Sequence, residues 1–179
     1  MPEREERWGP GRARGGGLLP GEGPRVVLDN IRSAFNVGSI FRTAEAAGAE
    51  HLFLCGISAT PANPRVVKTA LGAEGVLPWS HHISTAEVLA RLRADGVALI
   101  AVEVSERSVP YTALAFPERV AFIFGHEVAG IAVPILEQSD HVVEIPMLGH
   151  KNSLNVATSV GVILFEALRR RMARREDRG

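Results

Sequence analysis

Between residues 25 and 172 the chain alternates short, unbroken apolar runs with segments of helical periodicity, and this alternation constrains the fold more than any other feature. The apolar runs are RVVL at 25–28, HLFLCG at 51–56, VALIAVEV at 97–104, RVAFIFG at 119–125 and HVVEIP at 141–146. A strand open to water on one face alternates apolar with polar residues. A strand without polar interruption is covered on both faces, which is the environment of a parallel sheet. GVLPW at 75–79 is a further short strand, weakened by Pro78. Helices are expected over 37–47, capped by Asn36 and ended by Gly48, and over 63–73 with Pro64 near the start. Further helices are expected over 84–96, 133–139 and 153–172, the last capped by Asn152 or Ser153. Strands and helices in alternation give an α/β fold: a mostly parallel sheet with helices on both faces.

The 179 residues suit one domain. Residues 1–24 hold eleven Gly or Pro, too little apolar surface to fold, and are expected to form a flexible tail. The folded unit is then 25–172, followed by a basic tail at 173–179. No apolar run reaches the ~18 residues of a membrane span, and the N-terminal stretch has no apolar core of a secretory signal. Cys55 is the only cysteine and lies in an apolar run, so it reads as a buried thiol and fits a cytoplasmic protein.

Net charge is zero, but unevenly distributed. Residues 25–168 carry ten basic and fourteen acidic side chains, whereas 169–179 carry six Arg against Glu176 and Asp177. Such a cluster attracts an anionic polymer locally, and it also suits the C-terminal end of a helix dipole.

Three strand ends run into polar, Gly-containing stretches. After the first comes NIRSAFNVGSIFR, with Asn36, Gly38 and Arg42. Val37, Ile40, Phe41, Ala44 and Ala47 form the apolar face of that helix, so Arg42 points away from the core, where Glu45 or Glu50 are candidate partners. After the fourth run comes GHEVAG, in which Gly125 permits a sharp turn and Glu127 accepts hydrogen bonds. After the last comes MLGHKNSLN, more polar residues than one helix cap requires. The helix behind it has two apolar stripes: Leu154, Ala157, Gly161, Leu164 and Leu168, beside Val156, Val160, Ile163 and Ala167. So wide a face is buried on more than one side. In parallel α/β sheets ligands bind beyond the carboxyl ends of the strands. The absence of GxGxxG, a P-loop, HExxH and GxSxG argues against dinucleotide binding, phosphate-loop chemistry, zinc proteolysis and an α/β-hydrolase. No metal is expected.

Together NIRSAFNVGSIFRTAEAAGA, FIFGHEVAGI and IPMLGHKNSLNVATSVGVILFEALRR resemble, in order and spacing, the motifs of the SpoU-type (TrmH-like) RNA 2′-O-ribose methyltransferases of the SPOUT superfamily. The resemblance covers about residues 25–172. It implies a C-terminal deep trefoil knot, S-adenosyl-L-methionine as cofactor, a homodimer, and methyl transfer to a ribose 2′-hydroxyl of tRNA or rRNA. By position, Arg42 matches the family's catalytic Arg, Asn36 its first-motif Asn, and Glu127 its second-motif Glu. Ser153 and Asn155 match the third-motif pair. The cofactor is expected against backbone around Val102, Glu103, Gly125, Ile145, Met147 and Leu154. RNA contacts are expected from Arg32, Arg42, Lys151 and the cluster beginning with Arg169 and Arg170. Two roles stay open for Arg42: removing the hydroxyl proton, or gripping phosphate and stabilising the developing alkoxide.

Overall fold

The computed structural model describes residues 23–150 and 152–177. The strands are β1 (Arg25–Asp29), β2 (His51–Cys55), β3 (Trp79–His82), β4 (Ala98–Val102), β5 (Val109–Pro110), β6 (Val120–Phe124) and β7 (His141–Glu144). They lie in the order β3-β2-β1-β6-β4-β7-β5, every neighbouring pair parallel. The helices are α1 (Ala34–Ala46), α2 (Pro64–Ala70), α3 (Thr85–Ala94), α4 (Val133–Glu137) and α5 (Val156–Glu176). After β4 the chain crosses to the edge at β5, returns past β4 to β6, and then inserts β7 between β4 and β5.

The two-residue period of the strands feeds two cores. Val26, Leu28, Leu52, Leu54, Ile100, Phe122, Phe124 and Val143 pack with α1, α2 and α5. Val27, Cys55, Leu99, Ala101, Ala121, Ile123 and Val142 pack with α3 and α4. This two-sided burial is why the strands read as unbroken apolar runs. Cys55 is fully buried; burial, with the nearby Asp29 charge, pushes its thiol up to about 12, so it is a core residue with little thiolate character.

α1 is held in place by close packing. Val37, Ile40, Phe41 and Ala44 are fully buried. Gly38 faces α2, where a Cβ would overlap Thr69 Oγ1 and the Val66 carbonyl. The expected conjunction of Asn36, Gly38 and Arg42 therefore separates: Gly38 serves helix packing.

Several expected boundaries differ. Ser33, not Asn36, caps α1, its hydroxyl accepting from Asn36 N at 3.3 Å. Asn155, not Asn152 or Ser153, caps α5 through Ala157 N and Thr158 N. The third strand starts after Pro78 rather than across it; Pro78 has no N–H, but its carbonyl accepts from Leu52 N at 2.9 Å. α5 continues through Glu176, so residues 173–176 extend the helix instead of beginning a tail. Ala, Arg and Glu favour helix there, and the terminal Arg residues suit the dipole. The two-residue β5 had no pattern by which to find it.

Gly38→Ala is expected to lower stability by about 1–3 kcal/mol, because α1 and α2 must separate to admit the methyl group. Chemical denaturation measures this; wild-type stability in the variant would show that the contact has room.

Candidate active site

The carboxyl ends of β1, β6, β4 and β7 lie side by side, so the segments that follow them meet at one edge of the sheet. The segment after β1 is fixed first. Asn30 adopts the left-handed region with φ 61, and its Oδ1 accepts from Ile57 N at 3.1 Å. Ser58 Oγ accepts from Ile31 N at 2.9 Å, and Ile31 O accepts from Ala59 N at 3.0 Å. The buried Asp29 accepts from Thr85 Oγ1 and Asn30 Nδ2. These bonds tie the entry of α1 to the segments following β2 and preceding α3.

Glu127 then reaches across from the segment after β6. Its carboxylate accepts from Ser33 N at 3.1 Å, Arg32 N at 3.4 Å and Asn36 Nδ2 at 3.1 Å. It thus occupies the N-terminus of α1, where free N–H groups and the helix dipole favour an anion. Partial burial opposes ionisation. The Glu127 and Ser33 N–H groups, the Asn36 amide and Arg32 N–H outweigh it, and hold the carboxyl below its ordinary value. Glu127 is therefore an ionised acceptor at neutral pH.

Asn36 passes the connection on. Its Oδ1 accepts from Asn155 Nδ2 at 3.0 Å, while Asn155 Oδ1 caps α5. The chain Glu127–Asn36–Asn155 joins the three motif segments and brings the N-termini of α1 and α5 together. Of the residues expected in the site, these three touch. Arg42 is exposed on α1 and Ser153 is exposed ahead of α5, and among the described residues neither side chain makes a hydrogen bond or ion pair. Glu45 and Glu50 are not partners of Arg42; Glu50 pairs with Arg25 at 2.9 Å.

The residues expected around the cofactor follow or end β4, β6 and β7, or precede α5. Val102 and Ile145 are partly buried against the core, and Glu103 N donates to Val143 O at 2.9 Å. Met147 is half-buried, and Leu154 is 43% exposed. Gly125 lies so close to the Gly130 backbone that a Cβ would overlap it. Among the described residues, the main-chain groups of 145–150 make no hydrogen bond. A run of free N–H and C=O groups beside partly buried apolar side chains is the donor set a purine edge and an amino-acid moiety need.

The cationic residues divide. Arg32 is exposed. Arg169 is 67% exposed at its side chain and pairs with Glu166 at 2.7 Å. Arg170 departs from the expectation of a free RNA contact. It is 14% exposed, pairs with Glu166, donates to the carbonyls of Tyr111, Thr112 and Leu114, and covers the Phe116 ring at 4.4 Å. Its guanidinium fastens the segment between β5 and β6 to α5. Lys151 lies outside the described residues. Among them, no group of His, Cys, Asp and Glu has a metal-holding arrangement. Sequence reasoning missed Ser33 as the cap and Ser58 as the anchor of the first segment. Ser33 lies three residues before Asn36, a spacing that could have identified it.

If the Asn36–Asn155 bond links the two helices, the variants Asn36→Ala and Asn155→Ala will not be additive. A double-mutant cycle by denaturation is expected to give a coupling of about 0.5–1 kcal/mol; simple additivity would show the two helix ends to be independent.

Comparison with known proteins matches this arrangement. Residues 23–165 match the model of the SpoU rRNA Methylase family. The chain is 34% identical over 148 residues to an uncharacterised tRNA/rRNA methyltransferase of Synechocystis sp., covering 83% of this chain and 54% of that protein. It is 34% identical over 157 residues to the 23S rRNA (guanosine-2′-O-)-methyltransferase RlmB of Pseudomonas syringae pv. tomato, covering 87% and 62%. The chain thus spans little more than half the length of these curated relatives. Among solved structures, the SpoU methyltransferase AviRb from Streptomyces viridochromogenes, in complex with AdoMet, superposes with a TM-score of 0.80 at 28% identity, covering 88% of this chain and 64% of that one. With the parallel sheet and the joined motif segments, these matches establish that the chain belongs to the SpoU rRNA methylase family.

Proposed function

We propose that residues 25–172 form a SPOUT methyltransferase unit that uses S-adenosyl-L-methionine to methylate a ribose 2′-hydroxyl of tRNA or rRNA. The observation that carries this reading is the Glu127–Asn36–Asn155 chain, which gathers all three motif segments at the carboxyl edge of the sheet; the backbone of 145–150, unpaired among the described residues, follows β7 at the same edge. The relatives' names support the reaction and the RNA substrate, and the AdoMet complex of AviRb supports the cofactor. The order of crossings from β4 to β7 supports a knotted C-terminal part.

The cofactor supplies an electrophilic methyl group on a sulfonium. The chain's own residues meet the remaining demands. Free backbone at 145–150, with Val102, Gly125, Met147 and Leu154 around it, holds the cofactor. Ser153 stands beside the Asn155 cap as a free hydroxyl for the cofactor or the target nucleotide. Glu127 already accepts from three donors and is held ionised, so it orders the entry of α1 and does not take the ribose proton. Asn36 holds its amide between Glu127 and Asn155. Arg42, with no internal partner among the described residues, is free to grip a phosphate and to stabilise charge on the 2′-oxygen. A guanidinium keeps its proton, so this role suits Arg42 better than that of base.

Arg32, Arg42 and Arg169 are the cations offered to RNA; Lys151 belongs to the same reading by sequence, and Arg170 is occupied internally. α1 and α5 expose large apolar side chains, with Phe35 54%, Phe165 49% and Met172 56% exposed. We infer that a second copy covers these side chains and the protein works as a homodimer. No helix among the described residues is long and apolar enough to cross a membrane. We assign the activity to the cytoplasm, where the RNA substrate is found.

Incubation with methyl-labelled S-adenosyl-L-methionine and total RNA, followed by mass spectrometry of nuclease-resistant dinucleotides, is expected to find 2′-O-methylation. Absence of transfer to every RNA offered would overturn the reading. Arg42→Lys is expected to lower kcat by about 100-fold, with cofactor affinity unchanged, because the ammonium lacks the planar fork. Turnover near wild type would remove Arg42 from the reaction. RNA affinity is expected to fall on the order of tenfold or more between about 50 and 200 mM salt, as counterions released by phosphate contacts oppose binding. A flat salt response would exclude these Arg residues as the contact.

A further inference from the structure

The segment from Gly125 to Ile131 is locked at its base by three devices. His126 and Gly130 exchange backbone hydrogen bonds at 3.1 and 2.8 Å. Gly125 lies against the Gly130 backbone, where no side chain fits. Glu103, at the end of β4, accepts from Ile131 N at 2.9 Å. None of these reaches the tip, residues 127–129, which carries Glu127. There the His126 ring acts: Nδ1 accepts from Val128 N at 3.1 Å and from Ala129 N at 3.2 Å. Asn155 Oδ1 makes the same pattern, accepting from the residues two and three positions on. An imidazole nitrogen that accepts N–H bonds carries no proton, so the ring is neutral with its proton on Nε2.

Val128 and Ala129 are exposed, Val128 at 91%. Their N–H groups would otherwise bond to water, so the two bonds to Nδ1 add little net stability. What they fix is the conformation of the turn, and with it the direction of the adjacent Glu127 carboxylate toward Ser33 N, Arg32 N and Asn36.

We propose that His126 is a positioning residue for the methyl-transfer site, its neutral ring acting as the acceptor that holds the 127–129 turn and aims Glu127 at the N-terminus of α1. This rests on the reading of Glu127 as part of that site. The argument turns on an acceptor atom and not on ring bulk, so the substitutions separate the two. His126→Phe keeps a ring and loses the acceptor. His126→Asn loses the ring and supplies an oxygen in the position Asn155 uses.

The test compares both variants, alone and combined with Glu127→Gln, by kcat, KM for each substrate and thermal melting. His126→Phe is expected to lower kcat about tenfold or more, with the cofactor KM and the melting temperature near wild type. His126→Asn is expected to stay within about threefold of wild type, and His126→Phe to add nothing once Glu127 is Gln. Full activity in His126→Phe, equal loss in both variants, or multiplied losses with Glu127→Gln would each overturn the proposal. Amide hydrogen exchange supplies a readout independent of turnover. Arg32 and Ser33 N–H are expected to exchange faster in His126→Phe and not in His126→Asn. Unchanged exchange in His126→Phe overturns the role of His126 even in a chain that transfers no methyl group, whereas failed transfer with the expected exchange pattern counts only against the functional reading.

Discussion

The carboxylate of Glu127 at the N-terminus of α1 is the interaction on which the rest of the site depends. Its donors are two backbone N–H groups and a side-chain amide, with no cation bonded to it among the described residues. An anion there gains from several converging donors and from the helix dipole, without the desolvation cost of a second buried charge. The link also spans more than ninety residues of sequence at one stroke, because β1 and β6 are neighbours in the sheet. Once the entry of α1 is fixed, Asn36 is presented to Asn155, and the start of α5 is fixed in turn. The two helix ends and the turn after β6 form one hydrogen-bonded unit.

Arginine illustrates how little residue type reveals by itself. Arg170 and Arg169 are adjacent on α5, and both pair with Glu166, whose carboxyl these two bonds draw down to about 2 against the opposing effect of burial. Yet Arg170 is turned inward onto Phe116 and three carbonyls, while Arg169 faces solvent. A step of about 100° along the helix separates a structural clamp from a surface charge. Arg42 has neither kind of partner among the described residues, and a guanidinium so placed keeps all its donors for a phosphate or a developing alkoxide.

The same consideration explains what was legible in the sequence. The unbroken runs from RVVL to HVVEIP announced a parallel sheet because two-sided burial dictates composition directly. The three loops at one edge followed from that sheet. Helix caps were less legible: NIRSAFN offers Asn30, Ser33 and Asn36, and NSLN offers three more, each chemically able to cap. What chose Ser33 was the burial of Ile31 and Ala34 against the core, and what chose Asn155 was the burial of Val156. Asn36 and Asn155 are bonded to each other, but that bond depends on the docking of α1 against α5, which local pattern does not encode. The inward turn of Arg170 required the position of the 111–116 segment, which crosses from the sheet edge without a regular pattern of its own.

A site built in this way explains why the cofactor surface proposed for it leaves so faint a trace in the side chains. Residues 145–150 follow β7, where the ladder ends and main-chain groups become free, and a main-chain donor looks the same under any side chain. What the sequence must specify is then the shape of the backbone. Gly125 and Gly130 do this at the turn after β6, where one lacks the Cβ that would strike its neighbour and the other, at φ 68, adopts a conformation that side chains resist. Glu103 does it from β4 by holding Ile131 N, and it does so beside the backbone expected to cradle the cofactor. One carboxylate thereby joins the end of β4 to the turn carrying Glu127. In the proposed function, the alignment of the methyl donor and of the receiving nucleotide would rest on the same few hydrogen bonds at the ends of β4 and β6. In the proposed reaction, where in-line geometry supplies most of the acceleration, a rigid shared base of this kind contributes more than any additional charged group would.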